Sequence, residues 1–218
     1  MEYMIDGKAF TLTKNIRDDD SLRAGFNALA KQTFTISFED WYRGGYWTDK
    51  YIPYALLDGD RVATSVSVNI IDTVWQGMPK RFVQIGTVMT DMAYRGLGLS
   101  RLLMEVVLAD WRNQCDMIYL YANDGVLDFY PKFGFVKAQE YQLSMPVYPR
   151  QGNMRKLDMD NARDISLLRE SYDKGNPFCD LPMLCNLGLL LFLCSGPVRA
   201  NIYSLPSPQA VSLSGSRA

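Results

Sequence analysis

The chain has 218 residues, of which 48% are hydrophobic, so it is long enough to bury the core of at least one domain. Its 23 basic and 24 acidic side chains leave a net charge of −1, which argues against a nucleic-acid partner. The chain contains no histidine, and its four cysteines lack the spacing of a metal site. We therefore expect no metal centre and reduced, mostly buried thiols.

The first part of the chain predicts a strand followed by two helices. Ala9 to Lys14 alternates between apolar and polar residues, as a strand does. The acidic cluster Asp18–Ser21 is typical of a helix start. Phe38 to Tyr46 predicts a short helix that ends at Gly44-Gly45, within a stretch rich in aromatic residues.

Three strands are predicted next. Tyr54–Leu57 and Val62–Val74 flank the turn sequence Asp58-Gly59-Asp60, which is a strong hairpin signal. The turn Gln76–Pro79 then leads into a strand over Phe82–Thr90. This antiparallel start argues against a dinucleotide-binding fold, which begins with parallel strands joined by a helix.

A glycine-rich turn, Arg95–Arg101, separates that strand from a helix. The helix is predicted from an apolar stripe at Leu99, Leu102, Leu103, Val106 and Val107. Because the first N–H groups of a helix lack intrahelical partners, such a turn can bind phosphate through its backbone. The alternative is a surface turn whose glycines only relieve strain. No Walker sequence is present, and the third glycine of a dinucleotide fingerprint is absent.

A second segment follows the helix. Met117 to Tyr121 predicts a strand, and a short helix is expected within Gly125–Phe133. Pro131 should bend or shorten this helix, because proline lacks the N–H group that a continuous helix needs. Gly134 is expected to cap its C-terminal end.

These two segments resemble two motifs of the GNAT superfamily of acyl-CoA-dependent N-acyltransferases. Arg95, Gly98 and Ser100 fit the pyrophosphate-loop pattern Arg/Gln-x-x-Gly-x-Gly/Ala, except that serine replaces the usual glycine or alanine. The second motif is matched by Asn123, Phe129, Tyr130, Lys132, Gly134 and Phe135. The resemblance covers residues 1–148 and implies an α/β fold with a mixed, mostly antiparallel sheet flanked by helices.

The resemblance also implies a function: direct transfer of an acetyl group from acetyl-CoA to the primary amine of a small molecule or peptide. Coenzyme A would lie between the strands that end near Thr90 and Tyr121. Backbone groups would hold the pantetheine arm and the pyrophosphate. The implied coenzyme-binding residues are Val88, Met89, Thr90, Arg95, Gly96, Leu97, Gly98, Leu99, Ser100, Arg101 and Asn123. The aromatic stretch near Trp41 would border the acceptor or serve only packing.

The catalytic residue that the resemblance implies is Tyr130, whose phenol could donate a proton to the departing thiolate. The alternative is an aromatic side chain that only packs on the sheet. Asp91, Gln84 and Asp72 could lie near the acceptor, but no motif supports any of them as the base. A catalytically silent acyl-CoA-binding or assembly domain on the same fold is the second hypothesis.

After residue 148 the chain changes character. A strand over Glu140–Met145 and a linker at 146–152 precede a partial second α/β segment, residues 149–203, with a strand at Lys156–Asp160 and a helix at Ala162–Lys174. Leu181–Cys194 is strongly apolar but too short to span a membrane, so we expect it to pack on the first domain or on another copy of the chain, as a homodimer. The tail 204–218 is expected to be disordered. The first residues do not resemble a signal peptide, so we expect a cytoplasmic protein.

Overall fold

The computed structural model describes residues 1–139, 155–175, 180–196, 202–205 and 210–213. The strand predicted at 140–145 and the linker at 146–152 lie outside the described residues. Within the described ranges, every helix is too short or too polar to cross a bilayer.

A six-stranded sheet forms the centre of the molecule. Its strands are β1 (Glu2–Ile5), β2 (Lys8–Thr13), β3 (Tyr51–Asp58), β4 (Arg61–Trp75), β5 (Met78–Thr90) and β6 (Met117–Leu120). They lie side by side in chain order, and all neighbours are antiparallel except β5 and β6, which are parallel. The predicted mixed, mostly antiparallel sheet is therefore confirmed. Strand β1 is an addition that the sequence analysis did not predict.

Three helices flank the sheet: α1 (Asp20–Phe34), α2 (Glu39–Arg43) and α3 (Leu99–Trp111). The predicted helix start is confirmed at Asp19, whose carboxylate accepts a hydrogen bond from the N–H of Leu22 at 3.0 Å. Helix α2 ends at Gly44, as predicted. The helices divide over the two faces of the sheet: α3 packs against one face, and α1 and α2 pack against the other.

The C-terminal part contains β7 (Arg155–Lys156), α4 (Ala162–Lys174), α5 (Leu187–Ser195), β8 (Ile202–Leu205) and β9 (Ala210–Leu213). The predicted helix at 162–174 is observed. Strands β7, β8 and β9 form a small antiparallel sheet, in which Ile202 is opposite Leu213 and Leu205 is opposite Ala210. Residues 204–205 and 210–213, part of the tail for which disorder is expected, lie in these two strands, where the backbone groups pair with each other.

The apolar segment packs on the first domain. The indole N–H of Trp41 donates to the carbonyl of Gly188 at 2.7 Å, and the ring of Phe192 stacks on Phe38 at 5.0 Å. The N–H of Leu184 bonds the carbonyl of Asp72 at 2.7 Å, so this segment also covers part of the β4 edge that β3 leaves free. Of the two predicted packing partners, the first domain is therefore observed, and a homodimer remains a prediction.

Candidate active site

Strands β5 and β6 pair over only part of the length of β5. Their parallel pairing runs from Phe82 opposite Met117 to Ile85 opposite Leu120. Beyond that point β6 ends, whereas β5 continues to Thr90. Residues 86–90 of β5 therefore have one backbone edge with no strand partner among the residues that the structure describes. This free edge lies in the predicted place, between the strands that end near Thr90 and Tyr121.

A β-bulge bends β5 at the start of the free edge. Ser67 is opposite Gly86, but Ser65 is opposite Met89, so β5 has one residue more than β4 between these pairs. Thr87 within the bulge has a φ of 51°, in the left-handed region. Its hydroxyl lies 2.8 Å from that of Tyr51, which holds this conformation in place. A bulge increases the local twist of a strand, which explains why β5 and β6 diverge here.

The backbone groups of β5 alternate between its two neighbours. The N–H of Asp91 donates to the carbonyl of Ala63 on β4, so the groups of Met89 also face β4, and those of Val88 and Thr90 face the free edge. The carbonyl of Met89 accepts a hydrogen bond from the Thr64 hydroxyl at 2.8 Å. Val88 and Thr90 are thus placed to contact a ligand at this edge. The orientation of Met89 does not agree with its predicted role in holding the pantetheine arm.

The glycine turn leads directly into α3. Gly96 and Gly98 have φ values of 85° and 78°, a region that favours glycine. The backbone conformation therefore explains why glycine occupies both positions. The first intrahelical bond joins the N–H of Leu102 to the carbonyl of Gly98. Within the described part of the chain, the N–H groups of residues 96–101 have no hydrogen-bond partner. Six consecutive donors are therefore available at the positive end of the α3 dipole.

The side chains of the turn fix it to the sheet. Leu99 is fully buried in the core beneath α3. The Ser100 hydroxyl lies 2.6 Å from that of Thr90, which in turn lies 2.9 Å from that of Thr64. The serine at the position where the family pattern has glycine or alanine thus ties the first turn of α3 to β5. Arg101 is exposed and pairs with Glu105 at 3.0 Å.

Tyr130 begins a short 3₁₀ helix, Tyr130–Phe133, which Gly134 ends with a φ of 86°. The short helix and its glycine cap are as predicted. The Tyr130 ring packs against Phe129 and Phe135 and is partly buried. Burial raises the pKa of the Tyr130 phenol, so the hydroxyl stays protonated near neutral pH. In the described ranges this hydroxyl has no hydrogen-bond partner, so it is free to donate to a ligand.

Asn123 precedes a second 3₁₀ turn, Asp124–Val126, and its carbonyl accepts a hydrogen bond from the N–H of Val126. Its side chain is exposed and forms no hydrogen bond within the part of the chain that the structure describes. The amide is therefore available for the pantetheine contact that the sequence analysis expects.

Asp72 and Asp91, the two carboxylates that could serve as the general base, each accept hydrogen bonds from cationic side chains. The hydrogen bonds from Arg81 and Lys50 lower the pKa of Asp72. Burial acts to raise the pKa of Asp91, but the N–H of Ala93 and the guanidinium of Arg61 lower it overall. A general base needs a pKa near the working pH, so neither carboxylate has the pKa of an efficient base.

Comparison with known proteins identifies the family. A sequence model described as the acetyltransferase (GNAT) family matches residues 16–135. Since this is more than half of the chain, the protein belongs to the GNAT family of acetyltransferases. A search of curated proteins found no match.

Solved structures agree on the fold. A predicted acetyltransferase from Clostridium acetobutylicum, solved with acetyl-CoA, has a TM-score of 0.51 and 15% identity; the match covers 62% of this chain and 96% of that one. A putative acetyltransferase from Agrobacterium tumefaciens has 15% identity and a TM-score of 0.50, with 62% of this chain and 99% of that chain covered. The predicted family and fold are therefore confirmed, whereas the roles of individual residues remain predictions.

Proposed function

We propose that the protein is an acetyl-CoA-dependent N-acetyltransferase that acts by direct transfer to a primary amine. The observation that carries the proposal is the row of six N–H groups, residues 96–101, that find no partner among the described residues and lie beside the free edge of β5 in a chain of the GNAT family. Unpaired donors at a helix N-terminus suit a pyrophosphate group. A free strand edge suits the amide-containing pantetheine arm, which can pair with it as a strand would.

Different residues would bind different parts of acetyl-CoA. The backbone of the glycine turn would hold the pyrophosphate, and Arg95 would add positive charge beside it. Val88 and Thr90 would pair with the pantetheine arm on one side, and Asn123 would bond it on the other. Met89 would contribute through the buried side chain that supports β5, rather than through its backbone.

The chemistry would be a single acyl transfer. The neutral amine attacks the thioester carbonyl, the C–N bond forms, and the C–S bond breaks as the tetrahedral intermediate collapses. The Tyr130 phenol donates a proton to the departing sulfur and recovers one from solvent. The proton that the nitrogen loses passes to water, since Asp72 and Asp91 are each paired with a cation.

Thiol release from acetyl-CoA in the presence of a panel of primary amines tests this function. We expect free coenzyme A and acetylated amine, identified by mass spectrometry, in equal amounts. Calorimetry with acetyl-CoA is run on the same protein. Tight binding without release for every amine would favour the silent acyl-CoA-binding domain, and the absence of both would refute the proposal.

A further inference from the structure

A row of four polar-tipped side chains crosses four adjacent strands. Tyr51 is opposite Asn69, Asn69 is opposite Gln84, and Gln84 is opposite Tyr119. Paired residues of neighbouring strands share a face, so these side chains point the same way. The residues before and after Asn69, Gln84 and Tyr119 belong to the core beneath α3, on the other face; they are Val68, Ile70, Val83, Ile85, Ile118 and Leu120. We call Tyr51, Asn69, Gln84 and Tyr119 the polar row.

Three members of the polar row have no side-chain hydrogen-bond partner in the part of the chain that the structure describes. Asn69 is only 7% exposed, and its Oδ1 atom is buried without a partner. Among the residues that the structure describes, the side chains of Gln84 and Tyr119 form no hydrogen bond either. Burial raises the pKa of Tyr119 to about 12, so its hydroxyl is present as a donor. Native proteins rarely leave buried polar groups unsatisfied, so these groups need a partner that the described residues do not supply, and a polar ligand is one that fits.

The two ends of the polar row differ. At one end, the Tyr51 hydroxyl is bonded to Ser67 and Thr87, and its ring lies under Phe38 at 5.4 Å. At the other end, Tyr119 is only partly buried. Among the described residues, the row is thus closed on the side of the aromatic cluster and accessible on the side of β6.

The position of the row relates it to the free edge of β5. Gln84 is two residues before Gly86, where β5 loses its pairing with β6. Gly86 has no side chain, and a Cβ atom placed there would meet nothing within 4 Å. The space beside the row is therefore open toward the place where the thioester would lie.

The row offers amide and hydroxyl groups but no charge. Asp72, the carboxylate on β4 closest in sequence to Asn69, is bound by Arg81 and Lys50. Uncharged donors and acceptors recognise hydroxyl and amide groups, and they provide no counter-charge for a second ammonium group. A site built to hydrogen-bond a substrate strongly rejects analogues that leave its polar groups unpaired.

We propose that the polar row binds the acceptor, and that the acceptor is a primary amine carrying a hydroxyl or amide group rather than an alkylamine or a polyamine. The inference rests on the proposed acetyltransferase function. It assigns Asn69, Gln84 and Tyr119 as specificity residues that contact the acceptor's polar group.

Three amines of matched length test the class of acceptor: 3-aminopropan-1-ol, n-butylamine and 1,3-diaminopropane. They differ in carrying a hydroxyl, a methyl or a second ammonium group. Values of kcat/KM are measured by thiol release at saturating acetyl-CoA and are corrected for the neutral fraction of each amine. We expect the amino alcohol to exceed both others by about tenfold or more.

Three variants test the residues: Asn69→Leu, Gln84→Met and Tyr119→Phe. Each removes a polar group at nearly constant volume. We expect KM for the amino alcohol to rise about tenfold, with KM for n-butylamine and for acetyl-CoA unchanged. Gln84 and Tyr119 are partly exposed, so their variants keep the test valid if Asn69→Leu does not fold. Thr73→Val is the matched control, because the buried hydroxyl of Thr73, on strand β4 like Asn69, also has no partner among the described residues but lies outside the row.

The outcomes separate the two proposals. Thiol release that is equal for the three amines, or is highest for n-butylamine or the diamine and unaffected by the variants, would overturn the inference while the acetyltransferase function stands. No thiol release with any amine would overturn the proposed function and this inference with it.

Discussion

The two faces of the central sheet are built differently. On the face that meets α3, residues such as Leu103, Met104 and Val107 are fully buried against apolar strand residues. On the opposite face, an aromatic cluster adjoins the polar row, in which the buried oxygen of Asn69 has no partner among the described residues. One face therefore contributes mainly to stability. The other retains polar groups that destabilise the free protein, which is expected where a ligand supplies the missing partners.

The largest effect is expected from a cavity on the α3 face. Leu103→Ala removes a side chain that is 0% exposed, so it should lower the free energy of unfolding by about 2–5 kcal/mol in urea denaturation. Gln84→Met on the opposite face is the control and should change stability by less than about 1 kcal/mol. Equal losses in the two variants would contradict the division of roles between the faces.

Tyr130 tests whether the α3 face carries a catalytic group. Its ring packs against the apolar core, but its hydroxyl has no partner among the described residues. Tyr130→Phe keeps the ring and should lower kcat by about 10²-fold, equivalent to about 2.7 kcal/mol, with little change in acetyl-CoA affinity. Unchanged turnover, when chemistry is shown to limit the rate, would leave Tyr130 as a packing residue.

Gly188 tests how firmly α5 covers the opposite face. A Cβ atom at this position would lie 2.2 Å from the carbonyl oxygen of Tyr46, and backbone cannot easily move away. Gly188→Ala should therefore displace α5, break the bond from Trp41, lower stability by about 1–3 kcal/mol and shift tryptophan emission to longer wavelength. Leu193→Ala, at a half-exposed position of the same helix, is the control and should leave the emission unchanged.

The smallest expected effect is the pH dependence of stability that Asp164 gives to the C-terminal part. The hydrogen bonds from Arg155 and from the N–H of Asp158 lower the pKa of the buried Asp164 carboxylate. Because the folded pKa is lower than the unfolded one, about 3.9, this stabilisation is complete above that value and is lost as the pH falls through the folded pKa. The difference in melting temperature between the parent and Asp164→Asn should be constant from pH 6 to about pH 4 and should shrink as the pH falls further. A difference that stays constant as the pH falls from about 4 to about 2 would refute the linkage.

Local signals explain which parts of the fold the sequence predicts. The Asp58-Gly59-Asp60 hairpin, the glycine turn and α3 each depend on a few neighbouring residues, and each is observed where predicted. Strand β1 also follows a local signal, the turn Asp6-Gly7 with positive φ, which the sequence analysis did not use. Strands β8 and β9 are short and flanked by proline and serine, so their mutual pairing is not visible in the sequence.

The site was only partly predictable, because much of it depends on register. The glycine turn and Tyr130 are recognised from motifs. In contrast, the extra residue that the bulge inserts at Thr87 changes which neighbouring strand the backbone groups of Met89 face. This change is visible only from the pairing of β5 with β4. The polar row joins four strands, so no spacing in the sequence places Asn69 beside Gln84 and Tyr119. The alternation of Ser65, Ser67 and Asn69 with Val66 and Val68 in β4 is a signal that could have indicated it.

Binding of acetyl-CoA to two variants of Gly98 tests the central claim most directly. Asp and Asn have the same size and both tolerate the left-handed conformation of Gly98, so Gly98→Asp and Gly98→Asn differ only in charge. If the backbone of residues 96–101 holds the pyrophosphate, the aspartate should weaken acetyl-CoA binding about 100-fold relative to the asparagine by calorimetry. Circular dichroism should remain native for both. Equal affinity of the two variants for acetyl-CoA would contradict the assignment of the glycine turn as the pyrophosphate site.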